Sequence, residues 1–161
     1  MTHRSKPPFR ADHVGSLLRP PEVKRAREEA VAGRITAAEL RAIEDEAVRH
    51  LVRMQEDLGL EVVTDGEIRR RTWHMDFLYQ IGGVARGGNR VKVHFHSDQG
   101  DTEFEAEGLQ ITGPLRLDKT IFGEDFAFLK SVAKAAPKLS IPAPSMIHRR
   151  SGANFPGKAY A

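Results

Sequence analysis

The fold class follows from one stretch of sequence, Leu60-Glu61-Val62-Val63-Thr64-Asp65-Gly66-Glu67-Ile68-Arg69-Arg70-Arg71. Its apolar first part favours a buried strand, and α/β proteins bind ligands where their strands end. Gly66 permits a turn or the close approach of a ligand because it has no Cβ atom. The stretch therefore predicts a strand whose end presents Asp65 and Glu67. A simple turn with solvated carboxylates is the competing interpretation.

The composition is that of an ordinary globular protein. The 161 residues are 40% apolar and 29% charged, which is enough for one domain with a sizeable core. The 25 basic and 22 acidic residues are interleaved, so we expect no nucleic-acid partner. The sequence has no apolar signal or membrane-spanning segment, and we expect a cytoplasmic protein without a membrane partner. The absence of cysteine excludes thiolate metal ligands within this sequence.

The three consecutive arginines, residues 69–71, are the local exception to the mixed charge pattern. They are suited to binding an anionic small molecule. A triple arginine after a strand is more often a solvated or salt-bridged turn, and the sequence leaves both interpretations open.

The first part of the chain predicts a short strand and two helices. Residues 1–8 are expected to be a flexible leader, and residues 9–18 a strand with a Gly-Ser turn. A helix begins at the proline pair 20–21 and ends at Gly33. The motif from Thr36 to Glu39 is a capping box that begins the second helix. The apolar stripe of that helix is predicted to be Leu40, Ile43, Ala47, Leu51, Met54 and Leu58.

From residue 91 the apolar residues alternate with polar ones, which is typical of strands. The pattern predicts an antiparallel hairpin, and we assign residues 88–118 as a hairpin insertion. His94 and His96 lie two residues apart on one face of it. They are placed to chelate a metal, but pairing with the glutamates of the opposite strand is the simpler use.

The last part of the chain predicts a helix from about Gly123 to Ala136, which Pro137 ends. Residues 138–146 are predicted to form a strand, with no helix after it. The order of elements predicts a (β/α) architecture with few strands.

Three segments carry a family resemblance: His13-Val14-Gly15-Ser16-Leu17-Leu18-Arg19-Pro20, then Val63-Thr64-Asp65-Gly66-Glu67 with Trp73-His74-Met75-Asp76-Phe77, then Ile141-Pro142-Ala143-Pro144-Ser145-Met146. Together they resemble the cobalamin-independent methionine synthase family, specifically its short, single-barrel members. The resemblance implies an α/β fold, the N-terminal part of a (β/α)8 TIM-type barrel in which residues 1–161 form one partial domain. It also implies transfer of a methyl group from methyl-folate to homocysteine, two small-molecule substrates.

The resemblance implies roles for particular residues. Val14, Gly15 and Ser16 match the loop that holds the amino-acid part of homocysteine, and Glu67 matches the glutamate that pairs with its ammonium. The resemblance adds a candidate pocket formed by His13, Asp65, Trp73 and His74. Family members use zinc held by a histidine, two cysteines and a glutamate, and no position here matches these ligands or the family's catalytic proton donor. We therefore assign no metal ligand and no catalytic residue to this sequence.

Two classes of function remain at this point. In the first, the chain is a truncated methyltransferase that lacks the zinc site and is inactive alone; a related thiol alkyltransferase acting on another thiol, such as coenzyme M, is its variant. In the second, the chain is a non-catalytic half-barrel that binds a ligand or serves assembly. A complete barrel typically needs about 250 residues. We therefore expect a homo-oligomer or a partner that supplies the C-terminal half of the barrel.

Overall fold

The computed structural model describes residues 13–87, 90–98, 100–106 and 108–151. The predicted leader, residues 1–8, and the first part of the predicted strand 9–18 lie outside this range. The chain divides into two units: unit 1 is residues 1–71 with 122–140, and unit 2 is residues 72–121 with 141–161. No helix in the described part is both long enough and apolar enough to cross a membrane. The described elements make a mixed α/β protein.

Two helices begin unit 1. Helix α1 spans Pro21–Val31 and α2 spans Ala37–Asp57. The predicted capping box is confirmed, since the Thr36 hydroxyl accepts a hydrogen bond from Glu39 N at 3.2 Å and Glu39 Oε2 accepts one from Thr36 N at 2.7 Å. Such a cap supplies partners for backbone donors that a helix start otherwise leaves unsatisfied.

The buried face of α2 differs from the predicted stripe near its C-terminal end. Leu58 is 73% exposed and Met54 is also exposed, whereas Gln55 is buried. The prediction was wrong there because it assigned only apolar residues to the core. The Gln55 amide makes hydrogen bonds inside the core, and the helix turns this polar side chain inwards. The core of unit 1 consists of Val23, Ala47, Val48, Leu51, Val52, Val63, Ile68 and Leu129.

The described part of unit 1 contains one pair of parallel strands. Strand β1, Val62–Val63, pairs with β6, Ala136–Pro137. The ladder bonds run from Ala136 N to Glu61 O at 3.1 Å and from Lys138 N to Val63 O at 2.8 Å. Pro137 lies between these two donors, and its missing N–H costs the ladder nothing.

Two predictions for the last part of the chain were wrong. Helix α4 spans Gly123–Val132 and ends four residues before Ala136, because Ala133 is extended and the following N–H groups of Lys134 and Ala135 donate to Glu56. The strand predicted at 138–146 does not form, and β6 lies at 136–137 instead. Only residues 13–18 of the strand and turn predicted at 9–18 are described; they form no strand, and the Thr64 hydroxyl donates to the Gly15 carbonyl.

Unit 2 is built from antiparallel pairs and two short helices. Strand β2, Gly82–Arg86, pairs with β5, Leu109–Arg116, and β3, Val91–Phe95, pairs with β4, Thr102–Ala106. Helix α3 is Met75–Leu78. The hydrophobic core of unit 2 contains Met75, Leu78, Leu109, Ile111 and Ile147.

Helix α5, Ser145–Ser151, corrects the expectation that no helix follows residue 146. It begins after Pro144, whose carbonyl accepts from Ile147 N at 3.2 Å. Ile147 is buried in the core of unit 2, and this burial stabilises a helix that was not predicted from the local sequence. The assignment of residues 88–118 as an insertion stays a prediction.

Candidate functional site

The chain turns sharply after β1, and this turn forms the centre of the candidate site. Gly66 has φ +65° and Glu67 has φ +55°. The Asp65 carboxylate accepts a hydrogen bond from Glu67 N at 3.0 Å, and Leu17 N donates to Gly66 O at 3.0 Å. A left-handed conformation costs a residue other than glycine about 1–2 kcal/mol. The surrounding contacts must therefore hold Glu67 in this conformation.

Thr64 connects the turn to the loop that contains Gly15. Its hydroxyl donates to the Gly15 carbonyl at 2.7 Å and accepts from Gly66 N at 3.2 Å. The Thr64 backbone is in turn held by Gln55, whose amide accepts from Thr64 N and donates to Thr64 O, both at 3.0 Å. One chain of hydrogen bonds therefore runs from α2 through Thr64 to the Gly15 loop.

Gly15 and Glu67 lie beside each other. A Cβ atom placed on Gly15 would lie 3.7 Å from Glu67 Oε1 and 2.5 Å from the Ser140 hydroxyl. Gly15 also has φ +146°, a conformation that favours glycine. The position therefore requires glycine both for the backbone conformation and for the close approach of Ser140.

The Glu67 carboxylate is buried, with the residue only 4% exposed. Its Oε1 lies 3.2 Å from Arg70 Nη1. Burial raises the pKa of Glu67 above its ordinary value. The positive charge of Arg70 lowers this pKa, the negative charge of Asp65 raises it, and the positive charge of Arg19 lowers it. Because burial outweighs the nearby cations, the site favours a further positive charge beside this carboxylate.

The arginine run makes ion pairs inside unit 1. Arg69 pairs with Asp45 and also lies 3.5 Å from Asp125. Arg70 pairs with Glu67, and its guanidinium lies 4.4 Å from the centre of the Phe122 ring. These contacts favour the salt-bridged turn over an anion site for the first two arginines.

The structure gives the other residues carried over from the resemblance different surroundings. Val14 and Ser16 are exposed, and the Val14 carbonyl accepts from the Ser140 hydroxyl. His13 is half-buried, and its carbonyl accepts from Lys138 Nζ. Their assignment to a shared pocket with Glu67 stays a prediction.

Trp73 and His74 belong to unit 2. Their ring centres lie 4.4 Å apart, with Trp73 half exposed and His74 buried. Burial lowers the pKa of His74; the Arg150 charge lowers it further, and Asp76 partly opposes both. His74 is therefore held neutral at physiological pH. Its role as a pocket residue stays a prediction.

The described residues do not fit the zinc site of the resembled family. They include no group of three or more His, Asp or Glu side chains arranged to hold a metal ion. His94 pairs across the strands with Glu103 at 3.3 Å, and His96 lies 2.6 Å from Asp101. His94 therefore makes the predicted cross-strand contact with a glutamate, whereas His96, which follows β3, contacts an aspartate that precedes β4.

Sequence reasoning missed four residues that hold the site: Gln55, Thr64, Arg19 and Arg27. Gln55 follows Leu51 by four residues, so a polar residue on the buried face of α2 was the available signal. Arg19 stands within the quoted segment of residues 13–20. Arg27 has no local signal, because its partners lie 17 to 43 residues away in the chain.

Comparison with known proteins places these features in context. The family model described as "Cobalamin-independent synthase, Catalytic domain" matches residues 9–96. The chain is 45% identical over 148 residues to YxjG of Bacillus subtilis, covering 91% of this chain and 38% of that protein. It is 35% identical to the 5-methyltetrahydropteroyltriglutamate–homocysteine methyltransferase of Thermosynechococcus vestitus over 79 residues, which are 49% of this chain and 10% of the relative.

A solved structure from Listeria monocytogenes, described as a candidate vitamin-B12-independent methionine synthase, is also similar. It matches with a TM-score of 0.68 and 40% identity, over 89% of this chain and 39% of that chain. The chain thus spans well under half the length of these relatives.

Proposed function

Since the chain belongs to the cobalamin-independent methionine synthase family, we propose that it forms the part of a (β/α)8 methyltransferase barrel that binds the amino-acid end of homocysteine. The observation that carries this proposal is the buried Glu67 carboxylate beside the Gly15 loop. The same proposal treats residues 1–161 as one partial barrel into which residues 88–118 are inserted. It also includes a cytoplasmic location.

Glu67 has the chemistry to bind a substrate ammonium group. A charge-assisted hydrogen bond between a buried carboxylate and an ammonium is stronger than a neutral one. The pKa of Glu67 is raised by burial, so an ammonium at this position would stabilise the ionised form. Gly15 supports the assignment because its backbone passes close to the carboxylate: a Cβ atom at this position would lie 3.7 Å from Glu67 Oε1. Val14 and Ser16 complete the proposed amino-acid loop, with Asp65 and His13 as further pocket residues.

The reaction in which we place this site is methyl transfer from methyl-folate to homocysteine. Glu67 favours an amino-acid thiol over coenzyme M, which has no ammonium group to pair with it. The 161 residues contain no cysteine, and their described part offers no fitting zinc site. The role of these residues is therefore binding and orientation of the amino acid.

The parallel pair of β1 and β6 supports a proposal about assembly. Two strands are fewer than a stable parallel sheet needs, since such sheets are covered by helices and joined by further strands. We expect the remaining strands to come from a C-terminal half of the barrel or from a second copy of the chain. A half-barrel that only binds its ligand is the alternative, and an activity assay separates the two.

Calorimetric titration tests the binding role. L-methionine, the product amino acid, should bind the chain more tightly than 4-(methylthio)butanoate, which is the same molecule without the amino group. Glu67→Gln should lower the affinity for L-methionine about tenfold or more and leave the affinity for the second compound nearly unchanged. Equal affinity of the wild-type chain for both compounds would contradict the assignment of Glu67.

An assay with methyl-folate, homocysteine and zinc tests the extent of the activity. We expect no turnover by the 161-residue chain alone. A free thiol with a pKa of about 8.5 is only a few per cent ionised at neutral pH, and no described residue is arranged to change that. Turnover should appear when a C-terminal half from a relative is supplied. Turnover by the chain alone would show that the proposed division of roles is wrong.

A further inference from the structure

Arg27 of α1 makes an unusual set of contacts with the turn that carries Glu67. Its Nη2 donates to the Ile68 carbonyl at 2.5 Å and its Nη1 to the Arg70 carbonyl at 3.1 Å. The same guanidinium contacts Glu44 Oε1 from Nε at 3.2 Å and from Nη2 at 3.0 Å. One planar group therefore connects α1, α2 and the turn.

Arg19 makes contacts of the same kind on this turn. Its Nη2 donates to the Glu67 carbonyl at 3.2 Å and to the Arg70 carbonyl at 2.5 Å. The carbonyls of residues 67, 68 and 70 are thus bound by two guanidinium groups. Donors with a rigid fork geometry suit this task, because they bind several acceptors at once and lose little side-chain entropy.

These contacts act on the residue with the least favourable backbone conformation in the site. Glu67 has φ +55°, and strain of this kind persists only where surrounding contacts over-determine the conformation. Without Arg27, the turn loses two hydrogen bonds from α1 and, through the same guanidinium, its connection to Glu44 of α2. The conformation that places Glu67 Oε1 beside Gly15 then has fewer contacts to maintain it.

We propose that Arg27, held by Glu44, is a positioning residue that fixes the turn 67–70 and thereby directs the Glu67 carboxylate towards the ligand ammonium. Arg27 touches neither the carboxylate nor, in this proposal, the ligand. Its effect on binding is therefore specific to the ammonium group and acts through Glu67. The inference rests on the proposed function for the identity of the ligand. The geometry of the turn does not depend on that function.

The first measurement uses no ligand. Carbon NMR follows the titration of the Glu67 carboxyl and reports whether the group stays buried. The Glu67 signal is assigned because it is missing from the spectrum of Glu67→Gln. Charged groups that act on it are Arg70, Asp65 and Arg19. The wild-type pKa should be above the ordinary glutamate value. In Arg27→Met it should return towards that value, because the released carboxylate reaches water.

The second measurement is the ratio of affinities for L-methionine and 4-(methylthio)butanoate. Arg27→Met should reduce the wild-type preference for L-methionine about fivefold or more. Arg27→Lys should also reduce it, since one ammonium does not reproduce the forked contacts. Arg25→Met is the control, because Arg25 is an exposed arginine of the same helix and loses the same charge. It should change neither the preference nor the Glu67 pKa.

Glu44→Gln keeps the inference testable if Arg27→Met does not fold, and it should shift both readouts in the same direction by a smaller amount. Lower stability with an unchanged Glu67 pKa and an unchanged preference would show a purely structural role and overturn the inference. If the wild type itself shows no preference for the ammonium, the proposed function fails, and the NMR titration alone then decides for or against the positioning role.

Discussion

The turn 64–70 and the β3–β4 pair are both rich in charged and polar residues, but they use them in opposite ways. In the turn, Thr64, Asp65 and Glu67 are buried, and two distant residues bind it: Gly15 accepts from the Thr64 hydroxyl and Arg19 donates to the Glu67 carbonyl. In and next to the β3–β4 pair, His94 and His96 are exposed and contact Glu103 and Asp101, which lie close to them in the chain. A carboxylate in a sequence thus acquires functional meaning from burial and from distant partners.

The energetic consequences differ in the same way. A buried polar group that loses its partner pays its full desolvation cost, whereas exposed ion pairs contribute little because water replaces the lost contact. Substitutions in the turn should therefore have large effects, and equivalent substitutions in the β3–β4 pair should have small ones.

Gln55→Ala should have the largest effect on stability. It removes the partners of Thr64 N and Thr64 O, both in a fully buried residue, and each unsatisfied group costs about 1–3 kcal/mol. We expect a loss of about 2–5 kcal/mol in the free energy of unfolding, measured with urea. Arg53→Ala, at an exposed site on the same helix, should cost less than about 1 kcal/mol. Equal losses in the two variants would remove the distinction between buried and exposed polar groups.

Gly66→Ala should have the second-largest effect on the free energy of unfolding. An added Cβ would lie 3.0 Å from Leu51 Cδ1 and 3.3 Å from Leu17 Cβ, in a residue with φ +65°. Left-handed strain of about 1–2 kcal/mol and overpacking of about 1–3 kcal/mol both apply. Gly33→Ala is the matched control, since Gly33 has φ +71° and no atom within 4 Å of the added Cβ. Urea unfolding of the two variants separates the two costs, and equal losses would show that packing around the turn is loose.

The pH dependence of stability should identify Glu67 as a buried carboxylate. Its pKa is higher in the folded than in the unfolded chain, so the stability it contributes is fully present below the unfolded pKa. That stability is lost as the pH rises through the raised folded pKa. Glu67→Gln should therefore be more stable relative to the wild type at pH 7 than at pH 4. A difference between variant and wild type that does not change with pH would contradict the raised pKa.

The smallest effects should come from the β3–β4 pair. His94→Ala and His96→Ala remove side chains that are 59% and 82% exposed, and each should change the free energy of unfolding by less than about 0.5 kcal/mol. Metal analysis after dialysis should find no stoichiometric zinc in the wild-type chain. One zinc per chain that is lost in either variant would show that these histidines form a metal site.

Local signals predicted those parts of the fold that depend on neighbouring residues. The start of α2 was correctly predicted from Thr36 and Glu39, because a capping box acts over three residues. The strand whose end carries Asp65 and Glu67 was predicted from the apolar run that ends at Val63, and β1 ends at that residue. The end of α4 was not predictable, because it depends on Glu56, which lies 78 residues from Lys134.

The candidate site divides in the same way. Glu67 and Gly15 were identified from the sequence through the family resemblance, and the structure places them side by side. Arg27 and Gln55, which hold the backbone around them, were not identified. An arginine among several others on an amphipathic helix gives no sign of which one faces the turn.

The sequence by itself determined the family, the starts of α1, α2 and α4 and the carboxylate after β1, because each depends on residues close together in the chain. The tertiary structure decided that the Glu67 carboxylate is buried, that its backbone is left-handed, and that two arginines bind the surrounding carbonyls. The physical reason is that desolvation depends on packing, as do hydrogen bonds such as that between Arg19 and Arg70, which lie 51 positions apart. Packing is a property of the folded chain as a whole.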